Sequence, residues 1–533
     1  MQKKVYVEEA KNGKYTCKYL IEGKWKYLYS KYRPEENIKD IPLDPEAECY
    51  IVLGLGMGYE LDKISKQTSK PIIVIEYEIA FLDELLRIKR DEVNTFSTKV
   101  DFYFGIDYKQ INPSQHRVQV IINENLIQCN LTYYNNVIKY FSSLKRTLSK
   151  VVCAFEHPTI IKDCIDAFEQ LNYKVHEMPW NSIELMKKQV ALINPDIIFS
   201  INYSDKIAKI SDTLDIPYVS WTVDTPAYSL YKPENISRDK SYYFVYDERV
   251  VEHLKKSGVR QVFYLPVAAN VERLERVVLN TIDLNKYSTQ VSFVGSSGLY
   301  NEFSSFIKPK LSKEILSEIN RILNIQSKSE EYILSELLDI TLLNKIEQVS
   351  QYKINTVQHT LLSPLDKLGF ILGRYHTYIE RIAILWELHK RFDLRIYGDE
   401  SWLTQGNKFN GVFKGLVEHY EEMPKVFKRS KININITRCF VESGLPMRVF
   451  DVLGSKGFLI SNYKDDISRL FNDGKDLVVY RDRKDLIDQI NYYLINDKER
   501  QRIKYQGFET VTKYHTYIER IKKMMDILSD HPR

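Results

Sequence analysis

Apolar runs of strand length alternate with amphipathic segments along most of this chain. Residues 1 to about 48 instead alternate single apolar and polar positions, which predicts small antiparallel strands. The runs YIVLGLGMGYELDKI and PIIVIEYE then supply a strand, a glycine-rich turn, a helix and a second strand. This is the order of a βαβ unit, so we expect an N-terminal domain with a Rossmann-like module within residues 1–150.

A second α/β series begins near residue 151. Its strand-like runs are VVCAFEHPT, KVHEMPW, PDIIFSINY and IPYVSWTVDTP, and segments of helical period separate them. Such alternation is typical of a parallel sheet covered by helices. We expect this unit to end near residue 275, where a polar and charged connection starts.

A third unit occupies residues 290–510, with the strand-like runs QVSFVG, DLRIYGDE, KININIT and DLVVY. Residues 303–372 show helical spacing with few strand cues, which predicts a helical insertion. The chain then ends in a segment predicted as one long helix. The octapeptide YHTYIERI occurs at both 375–382 and 514–521, but its flanks do not match. It therefore indicates two amphipathic helices with similar sequence requirements rather than a solenoid repeat.

Composition excludes several classes of protein. The 76 basic and 71 acidic residues give a net charge of +5, which does not require a nucleic-acid partner. The six cysteines form no CxxC pair, so disulfides and a zinc site are not expected. The N-terminus lacks the apolar core of a signal peptide, and no apolar run reaches the ~18 residues of a membrane span. We therefore predict a cytoplasmic protein.

The N-terminal glycine-rich turn contains Gly54, Gly56 and Gly58, and Glu76 ends the following strand. These are elements of the nucleotide-binding fingerprint, but the third glycine of GxGxxG would fall at Tyr59. The GxGxG spacing is closer to that of S-adenosylmethionine methyltransferases. A Rossmann-like module that keeps its tight turn and binds nothing is the slightly favoured interpretation.

The segment 443–460, SGLPMRVFDVLGSKGFLI, predicts a tight turn, a short helix with Pro446 in its first turn, and a buried strand. The helix start would present free N–H groups and a positive dipole end. Arg448 and Asp451 are three residues apart and therefore share one helical surface. These features suit a nucleotide diphosphate-sugar, although a capped core helix with an exposed ion pair is equally compatible.

Other candidate residues lie in loops after predicted strands, where ligands of parallel sheets bind. The backbone of Gly295 and Ser296 could approach a phosphate. His157 and Asp224 follow earlier strands, but each taken singly is more typical of a turn than of a catalytic base.

From about residue 151 onwards the chain resembles the CgeB-type (spore maturation protein) glycosyltransferases, relatives of the family-4 glycosyltransferases. The motifs that carry the resemblance are SWTVDTP, YLPVAAN, VSFVG, FDLRIYGD, KININITR, GLPMRVFDVLGSKGFLISNYKDDISRLFNDGKDLVVY and YHTYIER. The resemblance implies a GT-B fold, in which two Rossmann-like domains face a cleft. Residues 151–275 would take the acceptor, residues 290–510 the nucleotide-sugar, and residues 511–533 would form a helix that crosses back.

The resemblance also assigns roles at the site. Aligning DVLGSKGFLI with the family's EAMACG-type segment places Asp451 at the acid that contacts the nucleotide ribose. The family's E-x7-E pair is broken here, because eight residues after Glu442 stands Phe450. The sugar-contacting role of Glu442, and with it the stereochemistry, is therefore not predicted.

Physical chemistry adds the remaining donor contacts. A guanidinium fork matches a diphosphate, so Arg448 is expected to stabilise the leaving group, with Arg438 sharing this role. No metal is then required, and the chain shows no DxD motif at a strand end. The N–H groups of residues 443–445 (Ser443, Gly444 and Leu445) could add to the phosphate site. Gly398 and Asp399 would border the base or ribose.

We therefore expect a metal-independent glycosyltransferase that moves a hexose or N-acetylhexosamine from a UDP-sugar to a surface or appendage acceptor, such as a flagellin or a spore-surface component. No cofactor is expected, and the base candidates are Asp224 and His157. One alternative is a methyltransferase, or a fusion containing one, acting through Gly54–Gly58 and Glu76. Another is a non-catalytic carbohydrate-binding scaffold.

Overall fold

The computed structural model describes residues 4–21, 23–38, 40–88, 100–111, 118–142, 150–354 and 360–530. These residues form two compact units. The first comprises residues 1–153, 178–198 and 206–217, and the second comprises residues 154–177, 199–205 and 218–533. The boundaries expected at residues 150, 275, 290 and 510 stay predictions. Parts of the predicted N-terminal domain (1–3, 22, 39, 89–99, 112–117 and 143–149), of the insertion (355–359) and of the terminal helix (531–533) lie outside the described residues.

Eighteen strands are present in the part of the chain that the structure describes. They are β1 (Val5–Glu9), β2 (Tyr15–Ile21), β3 (Lys24–Tyr27), β4 (Cys49–Leu53), β5 (Ile72–Glu76), β6 (Val100–Phe104), β7 (Val118–Ile122), β8 (Val151–Phe155), β9 (Lys174–Met178), β10 (Ile197–Ile201), β11 (Tyr218–Thr222), β12 (Ser241–Val245), β13 (Val262–Tyr264), β14 (Thr289–Val294), β15 (Leu394–Tyr397), β16 (Ser430–Asn435), β17 (Leu459–Asn462) and β18 (Val478–Tyr480).

The α-helices of the same ranges are α1 (Tyr59–Ser65), α2 (Ala80–Ile88), α3 (Leu131–Ser142), α4 (Ile161–Gln170), α5 (Ile183–Ile193), α6 (Asp205–Leu214), α7 (Glu248–Lys256), α8 (Val271–Arg276), α9 (Thr281–Tyr287), α10 (Lys313–Gln326), α11 (Leu334–Leu337), α12 (Ile340–Ser350), α13 (Pro364–His389), α14 (Glu422–Arg429), α15 (Met447–Gly454), α16 (Asp465–Leu470), α17 (Arg483–Ile495), α18 (Asp497–Tyr514) and α19 (Tyr517–Asp530).

The α/β class is confirmed, because three of the four sheets contain parallel pairs. The small sheet β1-β2-β3 is antiparallel, as the alternating pattern predicts. The other sheets have the orders β6-β5-β4-β7, β13-β12-β11-β10-β8-β9 and β15-β14-β16-β17-β18. In the last of these every neighbouring pair is parallel.

The predicted N-terminal βαβ unit is confirmed by the parallel pairing of β4 with β5 on either side of α1. Successive residues of a strand point to opposite faces, and β4 shows this directly. Ile51 and Leu53 pack with α3, whereas Tyr50 and Val52 pack with α1 and α2. A strand that is buried on both faces therefore needs an uninterrupted apolar sequence.

In the sheet β15-β14-β16-β17-β18, one core joins the strands to the C-terminal half of α13 and to α17. Helix α13 begins with a capping box, in which Ser363 and Asp366 each bind the other's backbone N–H, and Pro364 occupies its first turn. A second core lies among α10, α11, α12 and the N-terminal half of α13. The predicted helical content of residues 303–354 is therefore confirmed.

The C-terminal segment was predicted as one helix, and this prediction is wrong. Helix α18 ends at Tyr514 and α19 starts at Tyr517. Two hydrogen bonds hold the break: the His515 carbonyl accepts from the Ala269 N–H (3.0 Å), and the His515 ring Nε2 lies 3.1 Å from the Leu470 carbonyl. Helix α19 then packs against α4.

The repeated octapeptide has a common structural role in both places. Arg381, in the first copy, is buried and donates to the carbonyls of Ser296 and Ile436 just beyond β14 and β16. Arg520, in the second, is buried and donates to carbonyls beyond β13. In each copy a guanidinium satisfies backbone acceptors at a strand end, where an unpaired buried carbonyl is costly.

Candidate functional site

Helix α15 carries the residues singled out in segment 443–460. Pro446 is its N-cap rather than its first helical residue, which moves the predicted start by one position. The guanidinium of Arg448 contacts the sulfur of Met423 and lies 5.4 Å from the ring centre of Phe427. Among the described residues no carboxylate forms an ion pair with Arg448, so this half-buried cation keeps its fork available for an anion.

Asp451 lies on the same helix and is buried. Its Oδ2 atom has no hydrogen-bond partner among the described residues. Burial raises the pKa of Asp451, while the charges of His419, Arg448 and Arg273 act in the opposite direction. An unsatisfied buried carboxylate oxygen is rare in a folded protein, and here it is suited to accept from a ligand hydroxyl.

His419 is a candidate that sequence reasoning missed. Its Nε2 atom is buried and has no hydrogen-bond partner in the part of the chain that the structure describes, and its ring packs edge-on against Tyr420 at 4.8 Å. Burial lowers the pKa of His419, which favours the neutral imidazole. No motif or spacing marks this residue, because a single histidine in a polar loop carries no sequence signal.

Arg381 lies close enough to both Arg438 and Arg448 to interact with them electrostatically. Burial, Arg438 and Arg448 together lower the pKa of Arg381 to about 9, although Glu380 acts in the opposite direction. Arg438 is exposed, lies 5.8 Å from the Phe440 ring centre and has no described carboxylate partner. In the order β15-β14-β16 the strand sequence reverses between β14 and β16, and Arg438 follows β16. Ligands of such sheets bind at the point where the strand order reverses.

The two glycine loops beside this point are in direct contact. A Cβ atom on Gly398 would lie 2.2 Å from the Gly295 carbonyl oxygen, so only glycine permits this approach. The same carbonyl accepts from Trp402 Nε1, and the Ser296 carbonyl accepts from Arg381.

Asp399 begins the next turn and accepts from the Ser401 N–H at 2.9 Å. Its carboxylate is thus a helix cap in this structure. Its predicted contact with the base or ribose stays a prediction.

The turn before α15 is bound to the end of β12. The Asp247 carboxylate accepts from the N–H of Glu442 (2.8 Å), the N–H of Ser443 (3.2 Å) and the Ser443 hydroxyl (2.8 Å). Gly444 lies against Tyr246, where a Cβ would come within 2.8 Å of the ring, and Leu445 is buried. The Ser443 N–H, expected to face a phosphate, is therefore engaged by the protein's own carboxylate.

Asp224 lies after β11 and is exposed. The side-chain amide of Asn202, after β10, donates to Asp224 Oδ2 at 2.7 Å and so fixes the carboxylate.

His157 lies after β8, and burial lowers its pKa. Its Nδ1 atom accepts from the Thr159 N–H at 3.4 Å, which places the proton on Nε2. The roles of Asp224 and His157 as base candidates stay predictions.

The N-terminal glycine turn is filled by the protein itself. A Cβ on Gly54 would meet Leu126 at 2.9 Å, and one on Gly56 would meet the Tyr29 hydroxyl at 2.3 Å. Gly58 has positive φ and caps α1.

Glu76, at the end of β5, is buried and accepts from the Leu55 N–H (2.7 Å) and the Tyr134 hydroxyl (2.7 Å). Glu76, which would contact the nucleotide in such a module, is thus hydrogen-bonded to the protein itself, and protein side chains pack against the glycine-rich turn.

Within the described ranges no cluster of three or more His, Cys, Asp or Glu side chains has the arrangement of a metal site. No described helix is both long and apolar enough to cross a membrane.

Residues 378–526 match the family model described as "Glycosyl transferase-like". The search of curated proteins found no match. Among solved structures, a glycosyltransferase from Rickettsia africae aligns with 11% identity over 72% of this chain and 98% of its own, with a TM-score of 0.40. Anabaena HepE, solved with UDP-glucose, aligns with 9% identity over 72% and 100%, with a TM-score of 0.41. A sucrose-phosphate synthase from Thermosynechococcus elongatus aligns with 7% identity over 72% and 98%, with a TM-score of 0.42.

Proposed function

We propose that this protein is a glycosyltransferase that moves a hexose or N-acetylhexosamine from a UDP-sugar to an acceptor hydroxyl. The observation that carries the proposal is the pair Arg438 and Arg448, which contact Phe440 and Met423 and form no ion pair with a described carboxylate, beside the reversal point of the sheet β15-β14-β16-β17-β18. Two unpaired guanidinium groups suit a diphosphate better than any neutral ligand. The glycosyltransferase-like match over residues 378–526 includes both of them.

In the proposed reaction the acceptor oxygen attacks the anomeric carbon of the donor sugar. The bond from that carbon to the diphosphate oxygen breaks, and its electron pair leaves with the nucleoside diphosphate. Arg438 and Arg448 stabilise the charge that grows on the leaving oxygens, so no metal ion is required. The acceptor hydroxyl proton passes to Asp224, which Asn202 orients.

Nucleoside recognition falls to Asp451 and His419 in this proposal. The free Oδ2 of Asp451 would accept from a ribose hydroxyl, and the free Nε2 of His419 supplies a second polar contact. Gly295, Ser296, Gly398 and Asp399 would border the nucleotide on the other side. A bound nucleotide would supply hydrogen-bond partners for Asp451 Oδ2 and His419 Nε2 and so offset the cost of burying them unpaired.

The domain arrangement that goes with this function is the GT-B one. Residues 151–275 would take the acceptor and residues 290–510 the donor, with the segment 511–533 crossing back. The N-terminal residues 1–150 would recognise the acceptor, which we propose to be a protein or glycan of the cell surface or an appendage. The reaction would take place in the cytoplasm.

A transfer and hydrolysis assay with UDP-sugars tests the proposal. Arg448→Ala should lose activity by at least about a hundredfold, because a donor aimed at developing charge contributes about 2.7–4 kcal/mol. The matched control is Arg391→Met, which removes an exposed arginine paired with Glu387. Equal turnover by Arg448→Ala and wild type would exclude the role of Arg448. UDP-sugar binding without turnover across many acceptors would favour a carbohydrate-binding scaffold instead.

A further inference from the structure

Besides the proposed donor contacts, the second unit contains a polar cavity of about 720 Å³. It is lined by residues just beyond β16, β17 and β18, by α13 and by α10. Its volume is within the range typical of sites for small metabolites. Thr437 and Cys439, on either side of Arg438, line the cavity, whereas Arg438, Arg448 and Asp451 do not, so its lining is distinct from the proposed donor contacts.

Unpaired cations face this cavity from two elements. Lys464, after β17, is only 3% exposed, and its Nζ donates to the Cys439 carbonyl at 3.2 Å. Arg483, the first residue of α17, is exposed at the cavity mouth. In the described ranges neither side chain has a carboxylate at ion-pair distance. Glu380, which lines the same cavity, acts electrostatically on both cations but forms an ion pair with neither. The two cations therefore keep positive charge that an anionic ligand would pair with.

Hydrogen-bonding groups also line the cavity. His376 is 6% exposed, and its Nδ1 has no partner among the described residues. Burial lowers the pKa of His376 to about 4, so the ring is neutral at pH 7. Glu380, one turn further along α13, also lacks a described hydrogen bond or ion pair. Asn320 and Asn324 lie four residues apart on α10 and line the same space.

We propose that this cavity binds a small phosphate monoester that carries several hydroxyl groups. A dianionic phosphate would pair with both Lys464 and Arg483, whereas a single carboxylate would leave one of them unpaired. Hydroxyl groups of the ligand would donate to Glu380 and exchange hydrogen bonds with His376 and the two asparagines. Inorganic phosphate satisfies the cations only and would fill a small part of the space. The site is independent of the proposed donor function.

Calorimetric titration of the full-length protein with glucose phosphate, inorganic phosphate and UDP tests this assignment. Glucose phosphate should bind with saturation and more tightly than inorganic phosphate. Arg483→Met should weaken it at least tenfold, while Lys484→Met, an exposed neighbour on the same helix, should not. Glu380→Leu should reduce the preference for glucose phosphate over inorganic phosphate. Arg448→Met should weaken UDP and leave glucose phosphate unchanged.

Absence of saturable binding by the wild-type protein would overturn the proposal, as would equal affinity in Arg483→Met. If UDP displaced glucose phosphate and Arg448→Met weakened both, the two ligands would share the donor site and a separate site would be excluded. Loss of glucose phosphate binding with intact UDP binding in Arg483→Met would support it. Since UDP binding by that variant also reports folding, a misfolded variant cannot imitate the supporting result.

Discussion

Glu442→Gln is expected to stabilise the protein at alkaline pH and to have no effect near pH 4.5. Burial and the neighbouring charge of Asp247 raise the pKa of Glu442 from 4.5 to about 7, although Lys464 and Arg249 act in the opposite direction. Asp366 adds a smaller unfavourable charge. The unfolded chain releases this proton near pH 4.5 and the folded chain only near pH 7, so ionised Glu442 lowers the free energy of unfolding above pH 7.

The size of the effect follows from the difference between the two pKa values. It corresponds to about 3 kcal/mol above pH 7, and the penalty falls away as the pH drops from 7 to 4.5. Scanning calorimetry of wild type and variant between pH 5 and 8 measures it as a rise in Tm that grows with pH. The matched control is Glu519→Gln, an exposed acid paired with Lys522, which should change the unfolding free energy by less than about 0.5 kcal/mol. An equal Tm for Glu442→Gln and wild type at pH 8, or a gain confined to acidic pH, would refute the reasoning.

Three further variants follow from the same contacts. Arg381→Met leaves the carbonyls of Ser296 and Ile436 without their donor and should lower the free energy of unfolding by about 2–5 kcal/mol. Urea denaturation, with Arg391→Met as the control, measures this loss, and a loss below about 1 kcal/mol would contradict the prediction. Gly398→Ala places a Cβ against the Gly295 carbonyl and should lower the free energy of unfolding by about 1–3 kcal/mol. It should also weaken the binding of the nucleotide-sugar donor, and an unchanged donor affinity would argue against a nucleotide at these loops. Asp224→Asn should lower kcat about a hundredfold or more while leaving donor Kd within twofold, and a matching loss of donor affinity would place Asp224 in donor binding rather than proton transfer.

The alternation of strands and helices was predictable because each element buries a face of fixed period. The terminal helix was not fully predicted, because its break depends on His515 meeting the distant Leu470 and Ala269. Hydropathy along the chain contains no signal for such pairings. The repeated octapeptide was visible in the sequence, but its reason lies in the carbonyls that Arg381 and Arg520 satisfy.

The candidate site, too, was predictable from the sequence only in part. Arg448 and Asp451 were found because their helix follows a recognisable turn. Whether a loop group is free for a ligand could not be predicted, since Asp247 reaches Ser443 across 196 residues of sequence. The carboxylate of Glu76 likewise accepts a hydrogen bond from the Leu55 N–H, in the glycine-rich turn before α1. Partners of this kind are fixed only when the chain folds.

The central claim is that Arg448 binds the diphosphate of a nucleotide. Isothermal titration of UDP into the wild-type protein and Arg448→Met tests it most directly, with Arg391→Met as the control. Wild type and control should bind UDP with the same affinity, and Arg448→Met should bind at least tenfold more weakly, because a charge-assisted contact contributes about 1.5–3 kcal/mol. Absence of UDP binding by the wild-type protein, or equal affinity for all three proteins, would contradict the account.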